Sequence, residues 1–171
     1  MDNWSALFDG QTRYVLEIND SPVKPDVLRF RGREALSEPF KWDIEFTTPQ
    51  ANIPPEQMLM KYASLQMRGG KNVHGMITRF EWLSTSADQS RYRLTLSSRL
   101  ALLKYTRQCA VWQNQSVPEV VEQVLRKHGL EGPDFDFRLE RTYPPREIIT
   151  QWQETDLQFI QRILSGVGIY W

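Results

Sequence analysis

Hydrophobic and polar residues alternate along much of the first hundred positions. The clearest run is 40–46, whose apolar side chains occupy every second position: Phe40, Trp42, Ile44 and Phe46. A two-residue period is that of a β-strand with one buried face and one face in water. The run therefore predicts a strand of an antiparallel sheet, in which one face can be solvated.

Shorter runs of the same kind predict five more strands, at 13–18, 27–31, 63–67, 71–82 and 91–97. Pro54-Pro55-Glu56 is expected to open a helical turn that runs through Met58–Met60, and Gly69-Gly70 supplies the positive φ of a tight hairpin. Within 71–82 the apolar phase moves from Val73 and Ile77 to Phe80 and Trp82, which predicts a bulge. Strands at this spacing indicate a small antiparallel barrel or sandwich.

The pattern changes to a helical period after about residue 108. One apolar stripe consists of Val117, Val120, Val121, Val124 and Leu125. Ser116 and Glu119 have the spacing of a capping box, and Gly129 can end this helix. A strand at 147–152, a break at Gln153-Glu154 and a second capped helix through Leu164 follow. Residues 168–171 are of types that favour a β-strand. This part is predicted to be an α+β segment distinct from the barrel.

Composition and charge exclude several classes of protein. Of the 171 residues, 40% are hydrophobic and 25% are charged, and Lys plus Arg equals Asp plus Glu at 21 each. A neutral chain gives no bulk attraction to nucleic acid or anionic membranes. No run approaches the roughly 18 apolar residues of a spanning helix. The first residues lack a signal-peptide pattern. Cys109, the single cysteine, excludes an intrachain disulfide and fits a reducing cytoplasm.

Motifs that carry chemistry are missing from the sequence. There is no nucleophile elbow, phosphate-binding loop, dinucleotide-binding loop or zinc-protease motif. We interpret His74 as a strand residue and His128 as a residue that suits the dipole at a helix end. A nucleophile pair of Cys109 with a histidine is the weaker alternative. We assign no catalytic, cofactor-binding or metal-ligating residue, and we expect no enzyme activity.

Three acidic residues leave a different class of function open. Glu147, Glu154 and Asp156 lie within ten residues, and glycosidases use two carboxylates about 5–10 Å apart. The favoured interpretation is that Asp156 lies in the first turn of a helix and Glu154 is a solvated turn residue. Most aromatic residues fall on the apolar phase of strands, where core packing explains them. A glycan-binding or glycan-cleaving module therefore remains only an alternative.

One charge feature has two interpretations. No acidic residue lies between Asp88 and Glu119, and Arg91 and Arg93 share the polar face of a predicted strand. They would form a local basic patch. The patch is either a solvated barrel face or an interface with a neighbouring subunit or ring. It is a poor nucleic-acid surface, because no aromatic residues alternate with the arginines on that face.

The most informative pattern lies between 143 and 171. It consists of Arg146, Gln151, Trp152, Glu154, Thr155, Asp156, Leu157, Phe159, Ile160, Arg162, Ile163, Leu164, Gly168, Ile169 and Tyr170. This arrangement resembles the hub region of VgrG, the spike protein of bacterial type VI secretion. Segments 40–46, 74–78, 92–103 and 111–117 resemble its upstream strands and helix start. The departures include Ser98 for a usual Pro and Trp112 for a usual Phe.

The resemblance implies a structural part with a mechanical role. It implies tube-type β-barrels assembled as a homotrimer on a ring of the tube protein Hcp, with baseplate proteins around them. A needle, its tip protein and effectors would be reached through regions beyond this chain. The spike would assemble in the bacterial cytoplasm and be secreted, and only the assembled spike would pierce the target membrane. No nucleic acid, cofactor or metal is implied. The closest alternative is the baseplate hub of a contractile-tailed phage.

Two domains are expected on these grounds. Residues 1–107 would form the N-terminal tube-type β-barrel of the hub, and 108–171 would be the start of a second, truncated α+β hub domain. We expect 108–171 to be the looser part, because a strand at 168–171 would lack neighbours to pair its backbone.

Overall fold

The computed structural model describes residues 14–171, which form two compact units. The first unit comprises the described residues up to Glu34 together with Phe40–Ser98, and the second comprises Ala35–Pro39 and Arg99–Trp171. The predicted boundary after residue 107 differs from this division. Leu103, on a 3₁₀ helix at Arg99–Lys104, is buried in the core of the second unit.

The first unit is a single antiparallel sheet of six strands. In chain order they are β1 (Val15–Ile18), β2 (Asp26–Arg33), β3 (Lys41–Thr48), β4 (Tyr62–Gln66), β5 (Asn72–Thr85) and β6 (Ser90–Ser97). Their order across the sheet is β1-β4-β5-β6-β3-β2. The sheet curls, since the ring of Tyr14 beside β1 lies 4.8 Å from that of Phe30 on β2 at the other edge. The mainly β, barrel-like fold class is confirmed.

The alternating residues of β3 and β6 form the centre of the first core. Trp42, Ile44 and Phe46 lie directly opposite Leu96, Leu94 and Tyr92 in the register, and all six side chains are buried. Burying each such side chain contributes about 1.5–3 kcal/mol. If the pairing of β3 with β6 shifted by one residue, these side chains would move from the buried face to the solvent face. The hydrophobic pattern therefore fixes the register.

The predicted hairpin and the predicted bulge in β5 are confirmed, but the predicted burial of one side chain is wrong. Gly69 and Gly70 have φ of +89° and +83° at the turn between β4 and β5, and the β5–β6 register shifts between Ile77 and Arg79. Trp82, predicted on the apolar phase, is 62% exposed. The ring of Phe80 stacks on Tyr92 at 5.2 Å instead, and the Trp82 indole N–H donates to Thr85.

The helical turn predicted to open at Pro54-Pro55-Glu56 and run through Met60 is confirmed at its start, and its helical part is shorter than predicted. It is a 3₁₀ helix at Pro55–Gln57, with Pro54 preceding it in extended conformation. Proline at the first helical position has a φ that suits the turn, so the second proline starts it.

The second unit packs two helices against a two-stranded antiparallel ribbon. Its elements are β7 (Arg107–Gln115), α1 (Val117–Lys127), β8 (Arg146–Thr155) and α2 (Asp156–Ser165). The predicted stripe of α1 is buried throughout. Trp112 of β7 stacks on Phe159 of α2, with ring centroids 5.0 Å apart. The α+β prediction for this part is confirmed.

Both helices end in the same way. Gly129 and Gly168 have φ of +72° and +73°, the left-handed conformation in which a side chain is strained. The next N–H in each case, of Leu130 and Ile169, donates to the carbonyl five residues back, in the Schellman arrangement.

Two predictions for the end of the chain are wrong. Residues 168–171 form no strand, because the turn at Gly168 directs Ile169 and Trp171 back onto the core formed by the helices. The Trp171 carbonyl accepts a hydrogen bond from the Ser37 N–H at 2.7 Å. The break expected at Gln153-Glu154 is a bulge: β8 continues to Thr155, with Gln153 at φ +48° and a register shift on the facing strand.

Candidate assembly surface

A row of alternating charges crosses four neighbouring strands on the polar face of the first unit. Arg29 of β2 lies opposite Glu45 of β3, Glu45 opposite Arg93 of β6, and Arg93 opposite Glu81 of β5. Side chains directly opposite each other on antiparallel strands are close enough to interact. The bulge between Val27 and Arg29 sets the alignment of the first pair.

Glu45 is the centre of this row and accepts hydrogen bonds from three arginines. The Arg29 and Arg93 Nη2 atoms lie 2.8 and 2.7 Å from Oε1, and the Arg91 Nη2 lies 2.5 Å from Oε2. The residue is only 5% exposed. What covers it is the arginine side chains themselves, which reach solvent, so the carboxylate lies near water rather than in a packed core.

This environment keeps Glu45 ionised. The hydrogen bond from Arg29 is the main cause that lowers the pKa of the Glu45 carboxyl far below its ordinary 4.5, with further contributions from Arg93 and Arg91 against the cost of burial. In return, the Glu45 carboxylate raises the pKa of Arg29 and of Arg93. The three cations and the anion form one fixed cluster at neutral pH.

The predicted basic patch is thus more structured than the sequence indicated. Arg91 and Arg93 do share a face, but both point at Glu45, and Arg29 joins them from a strand far away in sequence. Sequence reasoning missed Arg29 and Glu45. The available signal was the polar phase of 40–46, but the partners become visible only once the strand order is known.

A second polar cluster lies at the start of α2 in the other unit. Asp156 is 1% exposed, and its two oxygens accept from the Gln151 Nε2 at 2.7 Å and the Gln108 Nε2 at 3.2 Å. The His128 Nε2 lies 2.6 Å from the Asp156 Oδ2. These residues come from β7, β8 and the end of α1. A cavity of about 210 Å³ adjoins the cluster, with Trp112 in its wall.

The placements of Asp156 and His128 are confirmed, while that of Glu154 is corrected. Asp156 begins α2 and His128 follows α1, as expected, but the contact between them was not predicted. Glu154 is no solvated turn residue, since its carboxylate binds Arg162 of α2 with contacts at 3.1 and 3.2 Å. Glu147 is exposed on β8. The three carboxylates therefore have separate environments.

The remaining candidates for chemistry lie apart from both clusters. His74 is exposed on β5, and Cys109 is exposed on β7, where its sulfur accepts from the Gln153 N–H. Within residues 14–171, no three His, Cys, Asp or Glu side chains are grouped so that they could hold a metal ion. In the same range no helix is long and apolar enough to cross a membrane.

The curled sheet and the two-helix unit can be compared with proteins of known family. The family model described as phage tail baseplate hub (GPD) matches residues 33–171. The chain belongs to this family. The resemblance to VgrG spike proteins is also confirmed: the chain is 36% identical over 163 residues to the type VI secretion system spike protein VgrG5 of Pseudomonas aeruginosa, covering 94% of the chain and 21% of the relative. The chain spans about a fifth of the length of such relatives.

Solved structures agree with this assignment. The Escherichia coli c3393 protein, described as a component of the type VI secretion system with similarity to the phage T4 tail proteins gp27 and gp5, matches with a TM-score of 0.88 and 45% identity. The match covers 91% of this chain and 44% of that one. A 43 kDa tail protein of prophage MuSo2 from Shewanella oneidensis has a TM-score of 0.65 over 91% of this chain and 50% of that one at 16% identity, which shows the fold alone.

Proposed function

We propose that this chain is the hub region of a type VI secretion spike, with a structural role and no bond chemistry of its own. The observation that supports this most strongly is the match to the c3393 protein, at 45% identity over 91% of the chain. The described surface is consistent with the proposal, since its most organised polar feature is an ion cluster on a sheet face and not a cleft.

The mechanism is the transmission of force from a contracting sheath to the spike. A part with this role must keep its shape under load. Close-packed cores have low compressibility and transmit strain. Each unit has such a core, and in the first unit continuous backbone pairing links all six strands.

The proposed partners follow from the same role. The whole protein would assemble as a homotrimer in the bacterial cytoplasm, seat on an Hcp ring and contact baseplate proteins. Regions outside this chain would connect to the needle, the tip protein and effectors. The assembled spike would then leave through the secretion system, and it alone would pierce the target membrane.

A phage-type baseplate hub is the second candidate. The family model and the prophage tail protein, which shares the fold, favour it. The sequence identity to VgrG proteins is higher than the identity to the prophage tail protein. For this reason we favour the secretion spike over the phage hub. The genes beside the coding sequence, and the sequence that follows Trp171 in the whole protein, separate the two candidates.

Genetic complementation tests the proposal. A bacterial strain that lacks its spike genes would receive the full-length gene, and release of the tube protein into the medium would be measured. We expect release to be restored. Expression without release, in a strain whose own spike gene restores it, would contradict the proposal.

The lack of chemistry is tested on the purified chain. We expect no hydrolysis of peptidoglycan, ester or nucleotide substrates, because the sequence has no nucleophile elbow, phosphate-binding loop or zinc-protease motif. Glu147→Gln and Cys109→Ala are the control variants. Hydrolysis that either change abolishes would overturn the structural role, whereas hydrolysis that survives both would be assigned to a contaminant.

A further inference from the structure

The polar face of the first unit has a surplus of basic over acidic residues. Across β2, β3, β5 and β6 the outward positions hold seven basic and four acidic residues. They are Arg29, Arg31, Arg33, Lys41, Arg79, Arg91 and Arg93 against Asp26, Asp43, Glu45 and Glu81. The chain as a whole is neutral, so this surplus is a local property of one sheet face.

The arginines around Glu45 also keep hydrogen-bonding capacity. The two oxygens of Glu45 are shared by three guanidinium groups, each of which has five N–H donors. The side chains of Arg29, Arg91 and Arg93 are 67%, 40% and 39% exposed.

Glu45 orients these donors before any partner arrives. Long arginine side chains lose rotamer freedom when they bind, and a group that is already fixed loses less. Glu45 binds all three guanidiniums, and the Arg93 Nη1 also lies 3.5 Å from Glu81, so the three groups are held in one arrangement while their side chains remain 39–67% exposed. A planar guanidinium with free N–H groups matches a carboxylate in a two-point contact.

We propose that the face around Arg29, Arg91 and Arg93 is a docking site for an acidic protein surface, whose Asp or Glu carboxylates bind the free edges of the three guanidiniums. This inference rests on the proposed role in assembly and names the chemistry of one partner. Nucleic acid fits less well, because Glu45 and Glu81 interrupt the positive charge.

Peptide binding tests the site directly. Fluorescence anisotropy would measure binding of labelled hexaglutamate to the 171-residue chain at low ionic strength, with hexalysine, duplex DNA and polyphosphate as comparison probes. We expect hexaglutamate to bind and salt to weaken it. Arg29→Gln with Arg91→Gln should weaken binding roughly tenfold, since each exposed ion pair contributes modestly.

Matched variants separate docking from folding. Arg138→Gln removes an arginine that is paired with Asp136 at an exposed position of the other unit, and it should leave binding unchanged. Thermal unfolding followed by circular dichroism would check that each variant is folded.

Two results would overturn the docking site. The first is equal hexaglutamate binding by the unchanged chain and the Arg29→Gln/Arg91→Gln variant. The second is tighter binding of DNA or polyphosphate than of hexaglutamate, which would assign a different class of partner.

The full-length protein separates this inference from the proposed function. If the unchanged gene fails to restore tube-protein release, the proposed function fails, while the peptide result stands independently. If the unchanged gene and Arg91→Glu/Arg93→Glu restore release equally and form the same assembly, the docking inference alone fails. We expect the double reversal to impair assembly and the reversal of Arg138 to leave it intact.

Discussion

Among residues 14–171 each unit buries one carboxylate, and the two units hold it in opposite ways. In the first unit Glu45 is surrounded by three charged guanidiniums on a sheet face. In the second unit Asp156 binds two neutral amides and an imidazole at the start of a helix. Both residues are 5% exposed or less.

The difference shows what each carboxylate does. The partners of Glu45 are long side chains that reach water, so the cluster presents charge at the surface. The partners of Asp156 come from β7, β8 and the end of α1, so their hydrogen bonds connect the elements of the second unit. We interpret the Glu45 cluster as a surface for partners. We call the Asp156 cluster a clasp, meaning a set of hydrogen bonds that holds elements of the second unit together.

Asp156→Ala should have the largest effect on stability. It removes the acceptor for two amides and the partner of His128, and breaking a buried polar network of this kind costs about 3 kcal/mol or more. Chemical denaturation followed by tryptophan fluorescence and circular dichroism would measure the loss. Asp136→Ala, at an exposed ion pair of the same unit, should stay within about 0.5 kcal/mol. Equal losses in the two variants would refute the clasp.

Glu45→Gln should have a smaller effect that depends on pH. The pKa of Glu45 is lowered in the folded chain, so its contribution is present above the ordinary value of 4.5 and is lost progressively as the pH falls below it. Unfolding midpoints measured from neutral pH downwards should therefore converge for the variant and the unchanged chain. A constant difference across this range would mean that the charge of Glu45 contributes nothing.

The two helix caps should differ by a smaller amount. The Thr155 hydroxyl accepts from the Gln158 N–H at 3.1 Å, whereas the Ser116 hydroxyl donates to the Glu119 carboxylate at 2.8 Å. Thr155→Ala should cost about 1 kcal/mol. Ser116→Ala should cost less, because Glu119 still accepts from the Ser116 N–H at 2.7 Å. Denaturant midpoints would rank the two, and the reverse order would contradict the assigned roles.

Arg91→Gln should have the smallest effect on folding. Arg29 and Arg93 still bind Glu45 when Arg91 is replaced, and the Arg91 side chain is 40% exposed. Thermal unfolding should give a midpoint close to that of the unchanged chain. A loss as large as that of Asp156→Ala would show that the Glu45 cluster is a clasp as well, and the comparison between the units would fail.

The sequence predicts the local parts of this fold well. Alternation in 40–46 and 91–97 depends only on which face is buried, and the capping pairs at 116–119 and 155–158 depend on neighbours within one turn. The strand predicted at 168–171 failed because its apolar residues suit either a strand or a return onto the core. In the structure the Ile169 N–H donates to the Leu164 carbonyl, and this hydrogen bond belongs to the turn that returns the chain to the core.

Both carboxylate clusters depend on contacts that sequence spacing does not show. His128 and Asp156 are 28 residues apart, and Arg91 lies 46 residues from Glu45. The strand order places β3 between β2 and β6, and only this order brings the three arginines to one acid. Sequence reasoning found the basic residues of the patch but not the acid that organises them.

Electron cryomicroscopy of the full-length protein assembled with its tube ring would test both the assembly role and the docking site. We expect a trimer whose hub region includes residues 14–171, with acidic residues of a partner beside Arg29, Arg91 and Arg93. A monomeric particle that binds no ring would contradict the assembly role. A trimer on its ring with this face of the sheet in solvent would contradict the docking site alone.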